Sequence, residues 1–232
     1  MEEQGRFFHV IARIRTDFPT KFGIPRQSGL ISDLKGEIVF EPEYRNPDAL
    51  RGIEEFSHLW LIWEFSEAVR DTWSPTVRPP RLGGNKRMGV FATRSPFRPN
   101  AVGLSSVRLE SVELHTDCGP VLHVAGADLM DGTPIFDIKP YLAFADSHPD
   151  AAGGFTDRTR EYGLRVEIVQ ELLEKVEKDK RNALRAVLAH DPRPSYQDDP
   201  ERVYGMEFAG YEIKFTVRSG VLTVRSIENR RQ

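Results

Sequence analysis

The sequence predicts a mostly β protein, with a sheet-built first part followed by a small α+β unit. Three observations predict it. Short apolar and β-branched runs recur through residues 8–138, each bounded by Gly, Pro, Asn or Asp. The intervals between them lack a repeated long helical pattern, which argues against a doubly wound parallel sheet and for a mostly antiparallel one, whose closure into a barrel removes exposed edges. After a turn-rich break at residues 146–154, the pattern changes to helical spacing and then to a hairpin.

In chain order, residues 8–14 and 37–40 read as strands. Residues 56–65 carry near-continuous apolar side chains, which predicts a strand buried on both faces. Residues 88–93, 105–114, 121–127 and 135–138 complete the first set. Beyond the break, residues 164–168 read as a strand. Val169, Leu172, Leu173 and Val176 then fall at i, i+3, i+4 and i+7, one face of a helix. Leu184, Val187 and Leu188 continue a helical pattern up to Asp191-Pro192. Tyr211, Ile213, Phe215 and Val217 alternate with polar residues, Ser219-Gly220 turns the chain, and residues 221–227 pair back. The expected domains are residues 1–150 and 160–232.

Composition narrows the function. In 232 residues, 39% hydrophobic and 29% charged side chains supply a core and exclude disorder by composition. The apolar run Leu59-Trp60-Leu61-Ile62-Trp63 is far short of the ~18 residues of a membrane span. The acidic start Met1-Glu2-Glu3-Gln4 lacks the apolar region of a secretory signal. One cysteine, Cys118, supports neither an internal disulfide nor a multi-cysteine metal site. The expectation is a soluble cytoplasmic protein.

Charge is unevenly placed. Residues 78–108 hold seven cations and no acid, +7 over 31 residues, although the whole chain carries −3. A basic, Gly- and Pro-rich stretch within an otherwise acidic chain suits an anionic ligand such as phosphate or nucleic acid, or arginines paired with acids elsewhere. Arg94 and Arg98 stand four apart in Phe91-Ala92-Thr93-Arg94-Ser95-Pro96-Phe97-Arg98-Pro99-Asn100, stiffened by two prolines. Pro25-Arg26-Gln27 sets a cation and an amide after a proline. The run from Asp128 to Tyr141 carries three aspartates and a lysine near strand ends; the competing reading is a hairpin turn at Asp131-Gly132 with Asp137 and Lys139 simply exposed. Gly83-Gly84 lacks the Gly-Lys-Ser/Thr of a phosphate loop. The six histidines show no His-Glu-x-x-His spacing, and no Gly-x-Ser-x-Gly elbow is present, so no metal and no serine nucleophile is assigned.

Taken together, Pro25-Arg26-Gln27, the run 51–60, the stretch 78–100 and the run 128–141 resemble the TsaA-like domain family. The tail Asp191-Pro192-Arg193-Pro194-x-Tyr196 is similar to that of the family's bacterial tRNA methyltransferases. The pair Ala101-Val102 departs from the family's Pro-Ile, which touches only local loop geometry. The resemblance implies a single-sheeted β-barrel, a homodimer, S-adenosylmethionine as methyl donor, and methylation of N6 of N6-threonylcarbamoyladenosine beside the anticodon of tRNA. Carried over by position, it implies a cofactor site of Pro25, Arg26, Gln27, Ser66, Glu67, Arg94, Leu104, Asp128, Leu129, Met130 and Asp131. Asp131 is the candidate base. The expected tRNA contacts are Arg78, Arg81, Lys86, Arg87, Arg98, Arg193 and Tyr196. Two other classes fit the residues: a non-catalytic RNA-binding barrel, and a methyltransferase of a small-molecule acceptor.

Overall fold

A computed structural model describes residues 7–79, 82, 86–159, 163–193 and 199–230. Six strands close a barrel: β1 (Ala12–Thr16), β2 (Lys35–Phe40), β3 (His58–Glu64), β6 (Val102–Glu113), β7 (Val121–Ala125) and β8 (Pro134–Pro140), in the order β1-β2-β7-β6-β3-β8. Every pairing around it is antiparallel. Between β3 and β6, the two-residue strands β4 (Thr76–Val77) and β5 (Met88–Gly89) pair as a short ribbon. Alternation does the sorting: Ala12 and Ile14 of β1 face the core while Arg13 and Arg15 face out. Ile38, Leu59, Leu61, Leu122, Val124 and Ile135 fill the same interior.

Three local readings are corrected. β3 is not buried on both faces. Leu59, Leu61 and Trp63 are buried, whereas His58, Trp60, Ile62 and Glu64 are half-exposed. A closed barrel has an inside and an outside, and only side chains such as Tyr141, packed on Trp60, roof the outer face. Residues 88–93 are extended only at Met88–Gly89, because Val90–Ala92 form a 3-10 turn. There Thr93 and Arg98 donate to the Val90 carbonyl that a strand partner would otherwise take. The helix read from Val169 to Val176 reduces to α2 (Gln170–Leu173), which follows the single-turn α1 (Ala143–Asp146) in chain order, and Val169 is exposed. The Arg181 guanidinium donates to the carbonyls of Glu174 and Val176, which ends the helix after one turn.

The second sheet has the order β10-β11-β12-β9. Its strands are β9 (Arg165–Glu167), β10 (Tyr204–Phe208), β11 (Tyr211–Arg218) and β12 (Val221–Asn229), with β9 parallel to β12. β10 was not anticipated from the sequence. It is joined to β11 by Ala209-Gly210, and β11 to β12 by Ser219-Gly220; both pairs have positive φ at each residue, the twist a two-residue hairpin needs. Helix α3 (Arg181–Ala189) buries Leu184, Val187 and Leu188 against the sheet, as its spacing predicts.

The two units share a loop. Residues 17–34, which join β1 to β2, send Phe18, Ile31 and Leu34 into the core of the second sheet. Phe18 packs edge-on against Phe208 with ring centroids 5.3 Å apart. Ala209 donates its N–H to the Asp17 carbonyl at 2.8 Å, and Lys180 pairs with the Asp17 carboxylate at 2.7 Å.

Candidate active site

Strand order alone collects the candidate residues. In an antiparallel barrel, consecutive neighbours run in opposite senses, so the ends of β1, β3 and β7 lie at the same rim as the starts of β2, β6 and β8. Residues 17–34 leave and re-enter at that rim, Ser66 and Glu67 follow β3 there, and Leu104 lies one turn of pleat inside β6. Residues 126–133 cross between β7 and β8. The connection 65–101, with its ribbon and basic residues, rises from the same end. Segments up to about a hundred residues apart in sequence thus meet.

Hydrogen bonds tie the rim together. Gly29 donates its N–H to Gly126 O at 2.8 Å, and Gly126 donates to Leu34 O at 2.8 Å. Gly126 has φ 80°, which lets the chain turn away from β7 here. Ser106 N–H donates to Ser28 Oγ at 3.1 Å. Arg94 donates to Gln27 Oε1, so the basic loop and the Pro25-Arg26-Gln27 loop are in contact. Asp128 Oδ1 accepts from Ser105 Oγ at 2.6 Å. Desolvation pushes the Asp128 carboxyl above the ordinary carboxylate range, against the bond from Ser105 and the positive charge of Arg94.

The remaining candidates differ in what they present. Leu104 is 57% exposed on the outer face of β6, an apolar surface open to a ligand. Pro25 is buried and Arg26 is exposed. Leu129 is buried in the barrel core, so only its backbone is offered to a ligand. Asp131 is exposed, and its Oδ1 accepts the Thr16 N–H at 2.9 Å while its own N–H donates to Phe18 O at 2.8 Å. Among the described residues, no group of three or more His, Cys, Asp or Glu side chains is gathered as a metal ion would require.

The basic residues are not alike. Arg78, Lys86 and Arg87 are exposed, and Arg87 donates to Thr76 Oγ1 at 3.3 Å. Arg98 is half-buried and clasps Thr93 O at 2.7 Å and Val90 O at 3.3 Å. Arg108 pairs with Glu110, whose carboxyl is held below its ordinary value by the hydrogen bond from Lys35 and, secondarily, by Arg108. Arg193 is only 7% exposed and bonds both carboxylate oxygens of Asp191, at 2.9 and 3.0 Å. It is a tie inside the tail rather than an outward cation. Arg81 and Tyr196 lie outside the described residues. The sequence reading singled out Phe97 for base stacking but passed over its exposed aromatic neighbours on the connection: Trp73 and Phe91 stand 6.2 Å apart, and Arg70 lies 3.8 Å over the Phe97 ring. It also passed over Ser28, Ser105 and Trp63.

A sheet barrel with this rim, followed by an interlocked α+β unit, defines a class that comparison names. The N-terminal domain family of tRNA-methyltransferase O matches residues 13–147, and its C-terminal domain family matches residues 161–230. The chain is 42% identical to the Escherichia coli K12 protein named tRNA (adenine(37)-N6)-methyltransferase over 231 residues, 96% of this chain and 98% of that one. A protein of the same name from Eikenella corrodens is 46% identical over 173 residues, 74% of this chain and 97% of its own. A crystal structure of TrmO from Pseudomonas aeruginosa superposes with a TM-score of 0.79 at 32% identity and covers 99% of each chain. The chain belongs to the tRNA-methyltransferase O family.

Proposed function

We propose that the protein is an S-adenosylmethionine-dependent methyltransferase that methylates N6 of N6-threonylcarbamoyladenosine beside the anticodon of tRNA, as a homodimer in the cytoplasm. The observation that carries this reading is the convergence of Arg26, Gln27, Arg94 and Asp128 at one barrel rim, beside a connection rich in exposed cations. The curated relatives' names supply the reaction and the adenine at position 37.

The donor set fits the cofactor. Adenosylmethionine bears a carboxylate, an ammonium group and ribose hydroxyls, and when bound it supplies an electrophilic methyl group. Arg26 or Arg94 binds the carboxylate in a fork, and the carboxylates of the 128–131 turn accept from the ammonium or the hydroxyls. Ser66, Glu67, Leu104, Leu129 and Met130 complete the enclosure in this reading, Leu129 through its backbone alone. Methyl transfer is an in-line displacement, so the chain's main contribution is to hold donor and acceptor close and aligned. The acceptor nitrogen is acylated by the carbamoyl group, which acidifies its proton and reduces the need for a strong base. Where Asp131 accepts that proton it does so at Oδ2, since Oδ1 is engaged by Thr16. Arg78, Lys86 and Arg87, all exposed, face RNA phosphate or the threonyl carboxylate. Phe97 stacks on an unpaired base.

The test is nucleoside mass spectrometry of tRNA with and without the threonylcarbamoyl group, after incubation with protein and adenosylmethionine. The methylated modified nucleoside is the expected product, and only from the modified tRNA. Equal methylation of both tRNAs would remove the threonylcarbamoyl specificity, and tRNA binding with no methyl transfer would leave a binding barrel. Sedimentation at micromolar concentration should give twice the 26.4 kDa chain mass; a monomer would remove the homodimer.

A further inference from the structure

A polar chain runs through the wall of the barrel to the candidate site. Trp63, the penultimate residue of β3, pairs across the sheet with Gly103 of β6. A Cβ on Gly103 would stand 2.3 Å from the Trp63 ring, so glycine is what lets the indole lie flat against β6. In that position Trp63 Nε1–H donates to Ser105 Oγ at 3.0 Å. Ser105 is 1% exposed, a polar side chain on the core-facing register of an otherwise apolar strand face. Its Oγ lies 2.6 Å from Asp128 Oδ1, within the range of a hydroxyl donating to an ionised carboxylate.

The donor inventory fixes the direction of this chain. An indole N–H can only donate, so it occupies a lone pair of the Ser105 oxygen and directs the hydroxyl hydrogen elsewhere. The neighbouring acceptor is Asp128. With Oδ1 held, rotation of the carboxylate about its Cβ–Cγ bond is restrained, and the plane of the group is set before a ligand arrives. We propose that Ser105 and Trp63 are positioning residues for the cofactor site, with Trp63 orienting the Ser105 hydroxyl and that hydroxyl holding the Asp128 carboxylate in its ionised, ligand-accepting orientation. The proposal rests on the reading that Asp128 faces the methyl donor.

Charge balance around Asp128 gives the sign of the test. Arg94, from the basic loop, is the charged side chain acting on it; Ser105 of β6 and the backbone at Ser28 and Asp128 itself contribute neutral hydrogen bonds. Burial favours the neutral acid and these partners favour the carboxylate. Removing the Ser105 hydroxyl therefore raises the pKa further, and affinity that depends on the carboxylate is lost at a higher pH on acidification.

The experiment is calorimetric titration with adenosylmethionine between about pH 5 and pH 8, for wild type, Ser105→Ala, Ser105→Thr, Trp63→Phe and the double variant Trp63→Phe/Ser105→Ala. Loss of one hydrogen bond to a charged group weakens binding roughly tenfold or more, so Ser105→Ala should bind about tenfold more weakly at neutral pH. Its acid limb should move to higher pH, since loss of the hydrogen bond disfavours the carboxylate. Ser105→Thr, which keeps the hydroxyl, should retain the wild-type limb. Trp63→Phe should weaken binding less than Ser105→Ala, and the double variant should be no weaker than Ser105→Ala alone. Wild-type affinity and an unmoved limb in Ser105→Ala would overturn the proposal, as would fully additive losses in the double variant. Should Ser105→Ala fail to fold, wild-type affinity together with an unmoved limb in Trp63→Phe would overturn it equally. No binding by the wild type itself would overturn the underlying reading of the site, a result distinct from either.

Discussion

Phe18→Ala is expected to lower the unfolding free energy by about 3–5 kcal/mol, the cost of removing a fully buried aromatic ring and leaving a cavity. Phe18 is 1% exposed and packs on Phe208, yet it belongs by sequence to the loop that leaves the barrel after β1. Urea titration followed by far-UV circular dichroism gives the loss directly. The same substitution should weaken adenosylmethionine binding, because Pro25, Arg26 and Gln27 lie on the loop that Phe18 anchors. A loss of stability with unchanged affinity would show that the rim holds its geometry without the second sheet.

Arg193→Ala is expected to destabilise by a comparable ~3–5 kcal/mol, because it removes the bidentate cation from a buried ion pair. Asp191 is itself in the left-handed region at φ 52°, so the bidentate pair also holds a backbone conformation that aspartate adopts only infrequently. Measured at a temperature where the variant remains folded, tRNA binding should keep its dependence on salt. Arg87→Gln is the contrasting case: Arg87 is exposed, and if it contacts phosphate as proposed, its loss should leave stability nearly unchanged and reduce the salt slope by about 0.7–0.9. If Arg193→Ala reduced that slope with no loss of stability, the arginine would be an RNA contact after all.

What was legible in the sequence follows from the range of the forces involved. The barrel strands and the β11–β12 hairpin were readable because side-chain alternation is local, and so was the Ser219-Gly220 turn. The two-faced burial expected for β3 was wrong because Trp60 and Ile62 look the same in sequence whether covered by a helix or left on a barrel's outer wall. The segment 88–93 misled for another reason: its Val90 and Phe91 favour extension, but Arg98 and Thr93 capture the carbonyls. Gathering the candidate site residues required the strand order, which no single segment encodes. Ser105 left a weak signal, as a hydroxyl sharing its parity with Gly103 and Val107. The burial of Arg193 was not legible, since proximity of Asp191 by two residues does not reveal that both are buried.

The Arg98 clasp changes what the basic stretch means energetically. A guanidinium bonded to Thr93 O and Val90 O fixes the loop between Val90 and Arg98 while the chain folds, so the conformational entropy of that loop is lost before any RNA arrives. On the proposed reading, an anionic ligand would meet this part of the surface already ordered, and little of its attraction would be spent on ordering the loop. A half-buried cation would thereby serve recognition through the shape of its own loop rather than through its charge.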